Sequence, residues 1–226
     1  MIKLILVRHG QSVWNYLNKF TGWTDVGLTQ KGIEEAKNCG ELLKKNNIKI
    51  DVAYISVLLR AEQTYQTIKG VLGYKMREFR SWKLNERHYG ALQGLNKEET
   101  AEKYGAEQVR IWRRSYVVKP PLLEDTDARN PKFDDLYSYV KEPLPLGESL
   151  EDTAKRVVDY FKNQIMQNVK PEQNCLIVAH GNSLRALIQH LAGLNNKEVE
   201  KLELATGKPI VYELTDDFKV VKKYEF

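Results

Sequence analysis

The chain has 226 residues, 42% hydrophobic and 29% charged; this is ordinary for a soluble globular protein, leaves room for one α/β domain with a sizeable insertion, and holds no run near the ~18 apolar residues of a membrane span. A net charge of +5 favours anionic partners, but the basic residues fall in scattered pairs among acids, with no basic arm or helix stripe, which points away from nucleic acid and towards a small phosphorylated molecule. Met1 leads straight into strand with no signal-peptide pattern, and Cys39 and Cys175 have no metal-type spacing, so a cytoplasmic protein with buried, reduced thiols is expected.

Ile2 to Val7 reads as the first strand, a short apolar run rich in branched side chains. Arg8 to Thr24 follows as a loop packed by Trp14, Phe20 and Trp23. Thr29 caps a helix to about Asn46, with Ile33, Ala36, Cys39, Gly40, Leu42 and Leu43 on one face. Asp51 to Ile55 is a second strand. Ser56 opens a loop-to-helix transition carrying Arg60, Ala61 and Thr64, the helix runs to about Leu72, and Met76 to Phe79 is a third strand. This βαβαβ opening predicts a parallel sheet with right-handed crossovers. The rhythm breaks from Ser81 to Gly147, a polar stretch holding Trp82 and Trp112, with short helices near Lys97–Tyr104 and Ala106–Arg114; it reads as an inserted lid or substrate segment. Ser149 then caps a helix to about Val169, with Asp152 at the capping-box position. A strand over 175–179, a helix over 183–192 and strands near Pro209–Leu214 and Val220–Tyr224 close the sheet. One domain over 1–226, with the insert at about 81–147, is the expected organisation.

Two of these strands end in the same way. Arg8-His9-Gly10 follows the first, and Ala179-His180-Gly181-Asn182 follows the strand at 175–179. Open α/β sheets place their ligands at the carboxyl edge, so two histidines leaving two strands are expected to meet there. One Arg-His-Gly is a weak signal; a second strand-His-Gly, with Arg60 just beyond another strand end at a helix start, is stronger. Arg8, Arg60, His9 and His180 would suit a dianionic phosphoryl group, since guanidinium forks match phosphate oxygens. A neutral imidazole can attack phosphorus and a protonated one can stabilise its oxygens. Glu86 is the best candidate for the acid that protonates the leaving oxygen, with an ion pair to Arg87 or Arg80 as the competing reading. His88 reads as structural and His190 as packed or solvent-facing. No zinc-type histidine spacing, P-loop or Gly-x-Gly-x-x-Gly occurs, so no metal is expected and phosphate must be held by side chains. Arg113, Arg114 and Lys97 are either surface charge or a clamp for a carboxylate or phosphate.

The chain resembles the cofactor-dependent phosphoglycerate mutases of the histidine phosphatase superfamily over essentially its whole length. The resemblance is carried by Arg8-His9-Gly10 through Trp14-Asn15, by Phe20-Thr21-Gly22-Trp23, by Ser56 through Arg60-Ala61 and Thr64, and by Ser81 to Lys97. Ile111 to Ser115, Ala179 to Ala186 and Thr206-Gly207-x-Pro209 complete it. It implies a mainly parallel central sheet flanked by helices, with an inserted lid. It implies that His9 carries a phosphoryl group supplied by 2,3-bisphosphoglycerate, and that 3-phosphoglycerate and 2-phosphoglycerate are interconverted, a glycolytic and gluconeogenic step. Glu86 would shuttle the proton; Arg8, Arg60 and His180 would hold the transferring phosphoryl, with Asn15 and Asn182 lining that pocket. Thr21, Gly22, Arg87, Tyr89, Lys97, Arg113 and Arg114 would bind the carboxylate and second phosphate, and Gly181 belongs to the same binding set. No metal is implied, and a homodimer fits the family's behaviour. Gln11 stands where many members have Glu, the segment from about Asp125 to Leu146 matches poorly, and the last strand is followed by little tail, which is expected to raise leakage to water. Two alternatives remain: a phosphatase of the same fold, and a non-catalytic phospho-ligand-binding module.

Overall fold

The computed structural model describes residues 1–226. Strand β1 (Ile2–Arg8) leads to a single-turn helix α1 (Val13–Tyr16), and α2 (Gln30–Lys45) returns the chain along the sheet. Then come β2 (Val52–Ser56), α3 (Leu59–Leu72) and β3 (Arg77–Ser81). The insert contributes α4 (Lys97–Tyr104) and α5 (Ala106–Arg114), at the bounds the sequence suggested, and otherwise short 3-10 turns. The remainder is α6 (Leu150–Tyr160), a π turn at Phe161–Ile165, α7 (Met166–Asn168), β4 (Asn174–Ala179), α8 (Gly181–Ala192), α9 (Asn196–Lys201), β5 (Pro209–Leu214) and β6 (Val220–Glu225).

The six strands form one sheet in the order β3-β2-β4-β1-β5-β6. The first four in that order are parallel, β5 runs antiparallel to β1, and β6 antiparallel to β5. The alternating pleat explains why the central strands read as unbroken apolar runs. Leu4 and Leu6 of β1 and Cys175, Ile177 and Ala179 of β4 enter the core under α6 and α8. Their neighbours Ile5, Val7, Leu176 and Val178 enter the opposite core, under α2 and α3. Both faces are covered, so the sheet is the middle of three layers.

Three details depart from the sequence expectations. Ile33 is exposed, because α2 turns Gly32, Ala36, Cys39, Gly40 and Leu43 inward instead. The single helix expected from Ser149 to Val169 is broken by the π turn. Its core residues Val157, Phe161, Ile165 and Val169 are spaced by four, and a series spaced by four drifts around an α-helix; one wider turn brings them back to a common face. Helix α9 was not anticipated: its six residues carry only Val199 as a buried apolar position, too little for a periodic signal.

The insert packs as two small aromatic-rich clusters, one of Phe20, Leu92 and Val109 and one of Trp23, Trp82 and Tyr137. Each joins a residue of the first loop to the insert, which ties the loop after β1 to the wall opposite it. No helix is long and apolar enough to cross a membrane.

Candidate active site

Because β1 and β4 are paired with Arg8 opposite Ala179, the two histidines leave the sheet at the same level. The backbone N–H of His9 donates to the Ala179 carbonyl at 3.0 Å. Their ring centroids are 4.9 Å apart, tilted by 57°. Nδ1 of His9 lies 2.7 Å from its neighbour's carbonyl, that of Gly10; a carbonyl only accepts, so Nδ1 carries the proton and Nε2 presents its lone pair. Burial, then Arg60 and Arg8, hold the His9 pKa well below the ordinary histidine value, which keeps this ring a neutral nucleophile at neutral pH.

The depth of His9 is set by two glycines. A Cβ on Gly10 would stand 2.2 Å from the Gly32 carbonyl oxygen, and one on Gly32 would stand 2.1 Å from that of Gln11. The loop after β1 and the first turn of α2 therefore touch backbone to backbone. On its other side the loop is bolted to α3: the Gly10 N–H donates to Thr64 Oγ1 at 3.0 Å, and the same hydroxyl donates to the Arg60 carbonyl at 2.7 Å.

Arg60, 1% exposed, donates to the carbonyls of Gly22 and Thr24 at 2.7 and 3.1 Å. Gly22 has φ +53°, and a Cβ there would strike Gln93 Oε1, which accepts the Trp23 N–H at 2.8 Å, so glycine spares the turn both strain and the loss of that bond. Burial lowers the guanidinium pKa to about 10, against the pull of Glu86 and Asp25, and it stays charged at neutral pH. Arg8 is tied to the Leu204 carbonyl through Nη1 at 2.8 Å. Its buried Nε has no partner, and neither has the Thr21 hydroxyl. Unsatisfied buried donors in a pocket wall are what phosphate oxygens would complete.

His180 is fully buried, its ring packed against that of His9. Its Nε2 is 2.7 Å from Ser56 Oγ, that hydroxyl donates to Asn85 Oδ1 at 2.8 Å, and Asn85 Nδ2 donates to the Tyr137 hydroxyl at 3.0 Å. The Nδ1 atom has no partner. Burial, Arg60 and His9 hold its pKa well below the ordinary value. An incoming dianion would reverse that bias and let Nδ1 take a proton. Tyr137 belongs to the segment that matches the family poorly, yet it anchors this chain of hydrogen bonds.

Glu86 faces the histidines from the insert. Its Oε1 accepts the N–H groups of Arg87 and of Asn182, at 2.8 and 3.0 Å, the latter in the first turn of α8 where the helix end is positive. Neither ion pair considered from the sequence forms, since Arg80 is paired with Glu62 and Glu78. Oε2 makes no hydrogen bond and lies 3.6 Å from where a Cβ on Gly181 would be, with Arg8 Nε at 3.7 Å. The glycine leaves open the space between the carboxyl and the arginine. The loop bearing Glu86 is held by a buried ion pair: Arg156 meets Glu148 at 2.7 Å and donates to the carbonyls of Lys83, Asn85 and Glu86 at 2.9 to 3.0 Å.

A second group of cations lies further out. Lys97 opens α4, and burial followed by its neighbour Arg113 lowers its pKa. Arg185 of α8 is lowered to about 10 by burial and then by Arg114. Tyr89 sits between the groups, its hydroxyl receiving Arg87 Nη2 and Asn182 Nδ2, both at 3.2 Å.

The expected site residues Arg8, His9, Asn15, Thr21, Gly22 and Arg60 line one pocket, together with Glu86, Tyr89, Lys97, Arg113, Arg114, Gly181 and Asn182. A profile of the histidine phosphatase superfamily (branch 1) matches residues 4–226. The chain belongs to that superfamily. Solved structures agree in fold. The α-ribazole phosphatase of Shigella flexneri superposes with a TM-score of 0.71 at 21% identity, over 97% of this chain and 94% of that one. A mycobacterial glucosyl-3-phosphoglycerate phosphatase gives 0.67 at 24% identity, over 93% and 92%. The phosphoserine phosphatase of Entamoeba histolytica, in complex with 3-phosphoglyceric acid, gives 0.64 at 23% identity, over 95% and 91%.

Two expected residues expose no surface to the pocket. His180 meets His9 at the strand ends, as expected, but is fully buried there. Arg87, expected on the substrate, is fully buried behind the wall, stacked on Tyr89 and donating to the Arg113 carbonyl at 2.5 Å. The pocket also contains Lys19, Arg185 and Glu203, which the sequence reading did not single out. Arg185 follows Asn182 by three residues on α8, and that helical spacing was the available signal. Gln11 does not enter the pocket; its Oε1 accepts from Thr29 Oγ1 at 2.9 Å. His88 is buried, its Nδ1 accepts the Gly90 N–H at 3.0 Å, and burial lowers its pKa to about 3. His190 is exposed on α8, its ring 6.2 Å from that of Phe161.

Proposed function

We propose that this protein interconverts 3-phosphoglycerate and 2-phosphoglycerate by phosphoryl transfer through His9. The observation that carries the reading is the doubled cation set: Arg8 and Arg60 at the nucleophile, then Lys97, Arg113, Arg114 and Arg185 beyond it, with Glu86 between. A simple monophosphate ester needs only the inner group. A phosphoglycerate adds a carboxylate, and a bisphosphate adds a second phosphate, which the outer group matches in charge.

The neutral Nε2 of His9 attacks phosphorus, forming the N–P bond as the ester O–P bond breaks. Arg8 and Arg60 neutralise the oxygens in flight, and His180 adds a donor once its Nδ1 is protonated. Glu86 Oε2 gives its proton to the leaving oxygen, and as a carboxylate it takes one from the hydroxyl that later receives the phosphoryl group. Isomerisation requires that the donating and accepting oxygens sit on different carbons, which a pocket with cations at both ends permits. The residues present fit 2,3-bisphosphoglycerate as the priming group: Arg8 Nε and Thr21 Oγ1 are free for one phosphate, and Lys97, Arg113 and the Glu203-paired Arg114 and Arg185 line the space for the other. That molecule supplies the phosphoryl group that His9 carries. We place the activity in the cytoplasm, with small phosphoglycerates as its partners and arginine and lysine in the place of a metal.

A phosphatase acting on small phosphate esters is the second reading. It is favoured by the names of the three solved relatives and by the 3-phosphoglyceric acid bound to one of them. In it, water replaces the accepting hydroxyl. The two readings separate in one tube, by following 3-phosphoglycerate with and without 2,3-bisphosphoglycerate, in chelator, with free phosphate counted. The mutase reading expects 2-phosphoglycerate in excess of free phosphate, stimulated by the bisphosphate. Free phosphate without isomerisation would establish the phosphatase.

A further inference from the structure

One acid in the pocket wall has no part in the phosphoryl transfer. Glu203 lies on the short extended stretch between α9 and β5 and reaches back over the outer cations. Its Oε1 is 2.6 Å from Arg114 Nη2, and its Oε2 is 3.5 Å from Arg185 Nη2. The backbone on either side is held by the site itself: the Leu202 carbonyl accepts from Arg185 Nε at 2.7 Å and the Leu204 carbonyl from Arg8 Nη1 at 2.8 Å. The side chain, by contrast, is 70% exposed. A solvated carboxylate on a fixed backbone is easily displaced, because an exposed ion pair is weak beside a bidentate anion on the same cations.

We propose that Glu203 is a specificity-determining residue, an internal anion that covers Arg114 and Arg185 until the second anionic group of a phosphate ester displaces it. An ester whose far end is neutral leaves Glu203 in place and gains nothing from the pair. An ester ending in a carboxylate or phosphate exchanges one anion for another, so its affinity is tempered by the one it removes. Stray inorganic anions meet the same competitor. The inference rests on the pocket being a two-anion site, as proposed above.

Calorimetric titration with 2-phosphoglycolate and glycerol 3-phosphate, at low and fixed ionic strength, tests it without requiring turnover. Glu203→Gln is expected to bind 2-phosphoglycolate roughly three- to tenfold tighter than the unaltered protein. Glycerol 3-phosphate, which has no second anion, is expected to change by less than about twofold. Glu203→Asp, one methylene shorter, is expected to fall between. Equal tightening of both ligands would overturn the proposal in favour of a plain net-charge effect. Weaker binding of 2-phosphoglycolate would overturn it too, by showing that Glu203 holds the arginines in place for the ligand. If neither ligand binds either protein, the two-anion pocket itself is wrong and the proposal goes with it.

Discussion

The two halves of the pocket are held by different physics. The inner half is mounted on strand ends and helix starts, where hydrogen-bonded neighbours fix each group: His9 by the Ala179 and Gly10 carbonyls, Arg60 by those of Gly22 and Thr24. The outer half is mounted mostly on the insert, where Lys97, Arg113 and Arg114 stand partly solvated on helices that pack through a small satellite cluster, with only Arg185 buried on α8. Rigid mounting suits bond making, which tolerates little misplacement. Looser mounting suits recognition of a ligand's far end.

Variants can break that contrast or sharpen it. His9→Ala removes the nucleophile and is expected to lower turnover by roughly 10⁴-fold or more and to abolish the acid-labile phosphoenzyme, read by labelled phosphate transfer. Retained turnover would exclude the covalent route. Glu148→Gln strikes the mounting rather than the chemistry. It leaves Arg156 charged and buried beneath the Glu86 loop, and is expected to lose about 3–5 kcal/mol in urea unfolding. A loss under about 1 kcal/mol would mean that the three carbonyls suffice to hold the arginine.

Arg113→Ala, in the outer half, is expected to raise KM for phosphoglycerate roughly 10- to 100-fold with kcat much less affected, the weight of one charge-assisted contact. Equal loss in kcat would place Arg113 in the transition state and erase the distinction between the halves.

The last test is one of pH, and it reads the inner half. His9, His88 and His180 are all held neutral by burial, with pKa values below their ordinary one. Unfolded, each takes a proton near pH 6.5, so the stability they contribute is complete above that pH. It is lost as pH falls from about 6.5 towards 3, where His88 titrates in the fold. The slope is up to ~1.4 kcal/mol per pH unit for each ring. Denaturation midpoints measured from pH 7.5 down to 5 read it, and His88→Gln is expected to remove about a third of the slope.

The inner half was legible in the sequence because its signals are local. An apolar run, a histidine and a glycine occur together twice, and the βαβ rule brings the two copies to one edge. Arg60 at a helix start is a similar short-range cue. The outer half was legible only in part. Arg113 and Arg114 adjoin a tryptophan in the insert, whereas Glu203 joins them from 89 residues away in the chain. Arg87 shows the converse: the resemblance implied a place on the substrate, but the chain turns it inward onto Tyr89 and the Arg113 carbonyl, which no local signal in the sequence marks. The ion pair of Glu148 with Arg156 escaped notice because nothing in an eight-residue separation distinguishes a buried pair from two surface charges.

The backbone contact of Gly10 with Gly32 has a consequence for how such a site can change. Charges on the rim can be exchanged one at a time, each step leaving a folded protein to be tried against new ligands. The two glycines allow no such single step, because any larger residue at either position must also move α2, which shares one face of the sheet with α3. Lineages and engineered libraries alike are therefore expected to diversify at the rim while this joint stays as it is, and a saturation library at Gly10 or Gly32, scored only for soluble protein, should return almost nothing but glycine.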